Sequence, residues 1–261
     1  MNQSADVLAA LEGPQILELF DWVGRTVHER VFQDYDEEAG HNRTTGGTLA
    51  HAYLVDRFDR ATGCGRFKLA AGASQDDGAH LVRAGISDED FKAMPRIKPG
   101  VVGRSNCNGS AGWACGDIRW VLQSHEFGRV DRINWSQKSP TKQVIASEPY
   151  AEDPHVLFGY DELGMEAPNA TFTGTTLVLA HAFNGRASAY EMHLGRSRKS
   201  SPRELGPWHW RVLVAAGGSD TAPVSRLDWA AGLPGTAASV DVPDTPVRLR
   251  PAAASQITDQ K

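Results

Sequence analysis

Apolar residues recur at helical spacing through the first third of the chain and at strand spacing through the last third. Ile16, Phe20, Val23, Val27 and Val31 mark one stripe of a helix over residues 14–33. Ser4 is placed to cap a short helix over residues 5–11, which Gly13-Pro14 ends. Pro14 in turn suits the first turn of the longer helix. Leu49, Tyr53, Leu54 and Phe58 turn inward on a further helix over residues 48–60, ended by Gly63 and Gly65. Residues 66–70 read as a short strand. Ser87 with Asp90 has the spacing of a cap for a helix reaching Met94, stopped by Pro95. After Pro99 the pattern changes. Residues 118–125 fit helix or strand, residues 130–135 and 143–147 read as short strands, and residues 208–215 read as a central strand free of Gly and Pro.

The clearest element is a predicted β-hairpin over residues 175–198. Strand-forming runs flank Asn184-Gly185, a pair suited to a two-residue type I′ turn. That turn sets Phe183 opposite Arg186, His181 opposite Ser188, Leu179 opposite Tyr190 and Leu177 opposite Met192. These residues form a large apolar face expected to lie on the core. The other face carries Val178, Ala180, Ala182, Ala187 and Ala189, then Glu191 and His193: a floor of small side chains ending in a carboxylate and an imidazole. The pattern predicts an α+β protein, with a helical N-terminal region over residues 1–95 followed by a mixed or mostly antiparallel β-sheet within residues 96–250. From about Ala237 the chain is rich in Ala, Pro and Ser, and residues 251–261 are expected to be a disordered tail.

Composition narrows the classes. The 261 residues are enough for a sizeable core. The first residues lack the charged and apolar regions of a secretory signal, and the expectation is a cytoplasmic protein. Cys64, Cys107 and Cys115 fit no common zinc spacing even with His125 added, so they are expected to be reduced thiols. A net charge of −5 disfavours a general polyanion binder but permits one basic face. Asp34, Asp36 and Glu38 alternate like a calcium loop, yet Thr45 stands where that loop needs its final Glu. A solvated acidic loop is the better reading. Asp34 with Asp56 is an alternative acidic pair for a metal.

Glu191 and His193 share one strand face, so both can reach one metal ion or one scissile group. Phosphodiester hydrolysis with Mg²⁺ needs carboxylate oxygens around the ion and a group to handle the proton of the attacking water. Asp161 is the best-placed second carboxylate. Arg186, Arg196, Arg198, Lys199, Arg203 and Arg211 follow as phosphate contacts. Asp161 followed by Glu191-Met192-His193 resembles the PD-(D/E)xK motif of many restriction endonucleases, although His193 stands where lysine is usual and Tyr160, not proline, precedes Asp161. A narrower resemblance is to BisI-type restriction endonucleases, in which a basic residue and an aliphatic one contact methylated cytosine. Arg211-Val212 matches that dipeptide. The resemblance implies a Mg²⁺-dependent endonuclease cutting double-stranded DNA, with 5-methylcytosine in its target, as a symmetric homodimer. Asp161 and Glu191 would bind metal and His193 would position or activate water.

Two other classes fit the residues. A non-enzymatic domain would use the alanine-floored face and the basic run to bind nucleic acid or another anionic ligand. A small-molecule enzyme would instead use the Gly-rich residues 100–116, with Arg104 and Asn106 central to it; in the nuclease reading the same two residues are expected nucleic-acid contacts. No Gly-x-Ser-x-Gly and no dinucleotide fingerprint is present.

Overall fold

The structure is a computed structural model that describes residues 3–68, 75–148, 150, 172–184, 188–199 and 206–218. Three helices form one layer: α1 (Gln3–Glu12), α2 (Ile16–Asp34) and α3 (Arg43–Thr62). α2 buries Ile16, Phe20, Val23, Val27 and Val31, the predicted stripe, together with Leu19. α3 begins ahead of its apolar pattern because Asn42 caps it: the Asn42 side chain accepts from the Thr45 amide at 3.1 Å. Gly63, at φ +64°, ends it in the left-handed conformation that glycine tolerates.

Two shorter helices follow, α4 (Gln75–Arg83) and α5 (Asp88–Ala93). The expected cap on α5 forms, with the Ser87 hydroxyl accepting from the Asp90 amide at 3.0 Å. Arg57 and Arg60 on α3 are buried, and they donate to the carbonyls of Gly85 (3.4 Å) and Ala84 (2.9 Å) just beyond α4. This satisfies carbonyls at a helix C-terminus, where positive charge is favoured. Asp56 balances both guanidiniums.

The second half forms a six-stranded mixed sheet in sequence order: β1 (Gly103–Arg104), β2 (Gly112–Cys115), β3 (Ile118–Ser124), β4 (Thr175–Phe183), β5 (Ala189–Ser197) and β6 (Trp208–Gly218). All neighbours are antiparallel except β3 and β4. A parallel pair needs a crossover, and α6 (Pro140–Ala146) lies in that connection, with Pro140 in its first turn. The arrangement is α+β, as the pattern predicts. Among the described residues no helix is long and apolar enough to cross a membrane.

Both faces of the central strands are covered. One face packs Trp120, Leu122, Leu177, Leu179, Tyr190, Met192 and Leu194 against α1, α2 and α3. The other packs Val121, Val178 and Ala180 against Val130, Ile133, Trp135 and Ile145. At Val178 and Ala180 the floor is therefore roofed by α6 and two 3-10 turns (Val130–Arg132 and Trp135–Gln137) and is not open for docking; Ala187 lies outside the described residues.

Several local expectations change. Residues 143–146 belong to α6, with Ser147 as its C-cap, because Ser139-Pro140 starts a helix there. Val130–Arg132 and Trp135–Gln137 form 3-10 turns in place of a predicted strand. Gly65–Phe67 forms another where the pattern predicts a strand over 66–70, Leu69 and Ala70 lying outside the described residues. The hairpin register also differs: Phe183 lies opposite Tyr190 and His181 opposite Met192. The Asn184 side chain supplies the reason. Its Oδ1 accepts from the amides of Ser188 (2.7 Å) and Ala189 (3.2 Å), holding a wider connection than a two-residue turn. Gly185, Arg186 and Ala187 lie outside the described residues. The partner of Phe183 moves from 186 to 190, an even step, so each side chain keeps its predicted face.

α2 can lie this close to β5 and β6 because residue 24 is glycine. A Cβ there would stand 2.7 Å from Tyr190 Cε2, 2.9 Å from Met192 Sδ and 3.2 Å from the Ala215 Cβ. Tyr190 cannot yield easily, since its ring packs against His28 and Phe183. Gly24→Ala gains about 1 kcal/mol of helix propensity and incurs overpacking of about 1–3 kcal/mol. The expected outcome is a lower denaturation midpoint in urea. A more stable variant would show that the helix and sheet are not in such close contact.

Candidate functional site

The candidate site lies at one end of the β3–β4–β5–β6 sheet, on the face opposite the three N-terminal helices. Glu191 and His193 both project there from β5, as alternation requires. On β6, Leu213 lies opposite His193 after an irregularity in the register between Met192 and His193. Bulges of this kind commonly re-aim side chains near functional sites. His125 follows β3 directly, and its amide continues the ladder by donating to the His181 carbonyl at 3.1 Å.

Three groups converge on the Glu191 carboxylate. His125 Nε2 lies 3.0 Å from Oε1, the Gly128 amide donates to the same oxygen at 2.7 Å, and His193 Nε2 is 3.7 Å from Oε2. His125, Glu191 and His193 each place a donor atom within 4.8 Å of the others, a grouping able to hold a metal ion. Burial alone would raise the Glu191 pKa. The His125 bond, the His193 imidazole 3.7 Å away and the Gly128 amide outweigh it and hold the carboxyl well below its usual range. Burial is the largest influence on His125 and lowers its pKa, while Glu191 opposes that shift.

Arg211 completes a chain of contacts. Its guanidinium makes a two-pronged bond to Asp131, at 2.8 and 2.5 Å, and its Nη1 lies 3.3 Å from His193 Nδ1. A guanidinium only donates, so in this contact Nδ1 is the acceptor and the His193 proton sits on Nε2, facing Glu191.

Of the predicted residues, the structure brings Glu191, His193 and Arg211 together. Asp161, Arg186 and Arg203 lie outside the described residues. Val212 packs toward the main core while Arg211 lies on the Glu191 face, so the two cannot touch one base from this strand. Arg196 is buried, with an ion pair to Glu148 at 3.1 Å and a bond to the Thr176 carbonyl at 2.9 Å. Arg198 donates to His209 at 3.1 Å, and Lys199 is exposed.

Arg104 lies elsewhere. It bonds both oxygens of Asp59, at 2.6 and 2.7 Å, stacks on Trp113 and donates to Asn106 at 3.0 Å. The Gly-rich residues around it form β1, β2 and their turns. The alternative acidic pair is engaged too: Asp34 bonds Arg30 and Tyr53, and Asp56 bonds Arg57, Arg60 and Arg66. Cys64, Cys107 and Cys115 are free thiols.

Sequence reasoning missed His125 in this role, along with Gly128 and Asp131. The available signal was weak: a polar run, SHEFGRVDR, directly after a buried strand. No family model matches the chain, and no curated protein or solved structure matches it.

A buried imidazole held neutral makes a definite pH prediction. The unfolded chain takes up a proton near pH 6.5, whereas folded His125 does so only at lower pH. Its contribution to stability is therefore complete above pH 6.5 and is lost as the pH falls from there toward the folded pKa. An NMR titration of the His125 ring is expected to give a midpoint below 6.5. The midpoint should fall further in Glu191→Gln, where the charge favouring the imidazolium is gone. A midpoint above 6.5 in the wild type would contradict the assigned burial.

Proposed function

We propose that the protein is a divalent-metal-dependent endonuclease of restriction type, hydrolysing phosphodiester bonds in duplex DNA at a site centred on Glu191. The observation that carries the reading is the convergence of His125, His193 and a backbone amide on one ionised carboxylate at the end of a rigid sheet. An ionised carboxylate is the group that holds a divalent cation, and an adjacent imidazole can take the proton of an attacking water. Asp161 is the proposed second carboxylate and Mg²⁺ the cation that two carboxylates would suit.

Arg211 is the proposed phosphate contact beside the cation, exchanging Asp131 for the scissile phosphate. Arg198 and Lys199 follow the other end of β5 from Glu191, so they are proposed only for phosphates well away from the scissile one. Two copies related by a twofold axis would cut both strands. The 5-methylcytosine requirement belongs to the proposal on the sequence resemblance alone; with Arg211 on a phosphate and Val212 on the core side, other residues would read the base.

A second reading has its own support. Among the described residues, Arg211 beside the site is already paired with Asp131, and Arg196 farther along β5 is paired with Glu148. A non-enzymatic domain that binds an anionic ligand would need no more than a rearrangement of such pairs.

One assay separates the two. A long duplex, unmodified or carrying 5-methylcytosine, is incubated with protein and Mg²⁺, Mn²⁺ or Zn²⁺. Discrete fragments are expected from the methylated DNA. Glu191→Gln is expected to slow cleavage by about 10²–10³-fold, the usual effect of removing one transition-state contact, while retaining DNA affinity. DNA retained but uncut under all three cations would favour the binding domain. DNA neither retained nor cut would overturn both readings.

A further inference from the structure

We propose that His125, Glu191 and His193 form a three-ligand site for a borderline transition cation of the Zn²⁺, Mn²⁺ or Co²⁺ class, in preference to Mg²⁺. The donor set is the first argument. Two imidazole nitrogens and one carboxylate suit such cations, whereas Mg²⁺ demands oxygen ligands in near-octahedral geometry. A His₂-carboxylate set also leaves coordination positions for water or substrate, as catalytic rather than structural sites do.

Geometry is the second argument. The carboxylate oxygens lie 3.0 Å from His125 Nε2 and 3.7 Å from His193 Nε2. Donors bound to one cation at about 2.1 Å stand roughly 3.0–3.5 Å apart, so both carboxylate–imidazole separations are already close to that spacing, and all three donors lie within 4.8 Å of one another. Three independent anchors fix the ligands: the sheet ladder holds Glu191 and His193, the His181 carbonyl holds the His125 backbone, and the Gly128 amide orients the carboxylate.

The third argument is an orphaned donor. His193 is 6% exposed, and its Nε2 has no hydrogen-bond partner while facing Glu191. Burying an imidazole nitrogen without a partner is costly, and a metal bond removes that cost.

Arg211 then acquires a role. An imidazole bound to metal through Nε2 carries its proton on Nδ1, where it needs an acceptor. Arg211 Nη1 stands 3.3 Å away at that position and can only donate. Metal entry therefore requires Arg211 to withdraw. Asp131, the carboxylate it holds, is then released as an acceptor for the His193 Nδ1 proton. Arg211 opposes the cation in the free protein, and its displacement turns a guanidinium toward any anion at the open coordination positions.

This inference rests on the cluster alone and shares only its location with the nuclease reading. The test is a titration of metal-stripped, full-length protein with Co²⁺, read by visible absorption, followed by Zn²⁺ competition and a Mg²⁺ control. One Co²⁺ per chain is expected, displaced by Zn²⁺ and not by millimolar Mg²⁺. Glu191→Gln and His193→Gln should each weaken binding by at least about tenfold, with circular dichroism confirming the fold. Arg211→Gln, which offers an acceptor in place of a donor, should tighten it several-fold. If either ligand variant fails to fold, the Arg211→Gln titration decides alone.

Absence of a Co²⁺ spectrum, or equal affinity in wild type, ligand variants and Arg211→Gln, would overturn the proposal. Co²⁺ binding without DNA cleavage would leave the metal site standing and remove the nuclease. Cleavage with Mg²⁺ and no Co²⁺ binding would do the reverse.

Discussion

A carboxylate that is mostly withdrawn from water has to be surrounded by donors or give up its charge, and Glu191 is in that position. Burial works against its ionised form, while two imidazoles and a backbone amide work for it and prevail. Much of the local architecture meets this demand. β5 presents Glu191 and His193 on one face, the end of β3 delivers His125, and the segment beyond it turns back so that the Gly128 amide points at Oε1. The same segment then supplies Asp131, which holds Arg211 against His193. Removing the charge at residue 191 would leave this end of the sheet without its organising acceptor.

That arrangement depends in turn on how tightly the sheet is held. α2 lies against β5 and β6 at Gly24, and a second, smaller core under α6 covers the opposite face of β3 and β4. With both faces packed, the central strands tolerate polar side chains only where partners exist. Arg119 bonds Thr176, Lys142 bonds the Leu122 carbonyl, and Arg196 pairs with Glu148. Among the described residues, basic side chains that would suit phosphates in an exposed strand are here partly consumed by the fold.

The legible parts of the sequence were those governed by local periodicity. The stripe on α2, the Ser87 cap and the two faces of the hairpin follow from spacing and short-range chemistry, and the structure keeps them. The hairpin register was not legible, because Asn184 can serve either a two-residue turn or a wider connection closed by its own side chain. Residues 143–147 have strand-like composition, yet the helix start at Ser139-Pro140 governs them. For the site, Glu191 and His193 could be paired by alternation within one strand. His125 could not, since it is brought in by the parallel pairing of β3 with β4, a long-range contact with no short-range signature. Arg211 was legible as a cation, but not its partner Asp131, 80 positions away in the chain.

The central claim is that Glu191 is the acidic member of a metal centre and not merely the middle of a hydrogen-bonded network. Crystals grown with Mn²⁺ and measured for anomalous scattering test it most directly. The account requires an anomalous peak about 2.0–2.2 Å from the Glu191 carboxylate and from a ring nitrogen of both His125 and His193, with Arg211 withdrawn from His193. An ordered triad with its hydrogen bonds intact, Arg211 still against His193 and no peak among them would contradict it, and would assign these residues a structural role.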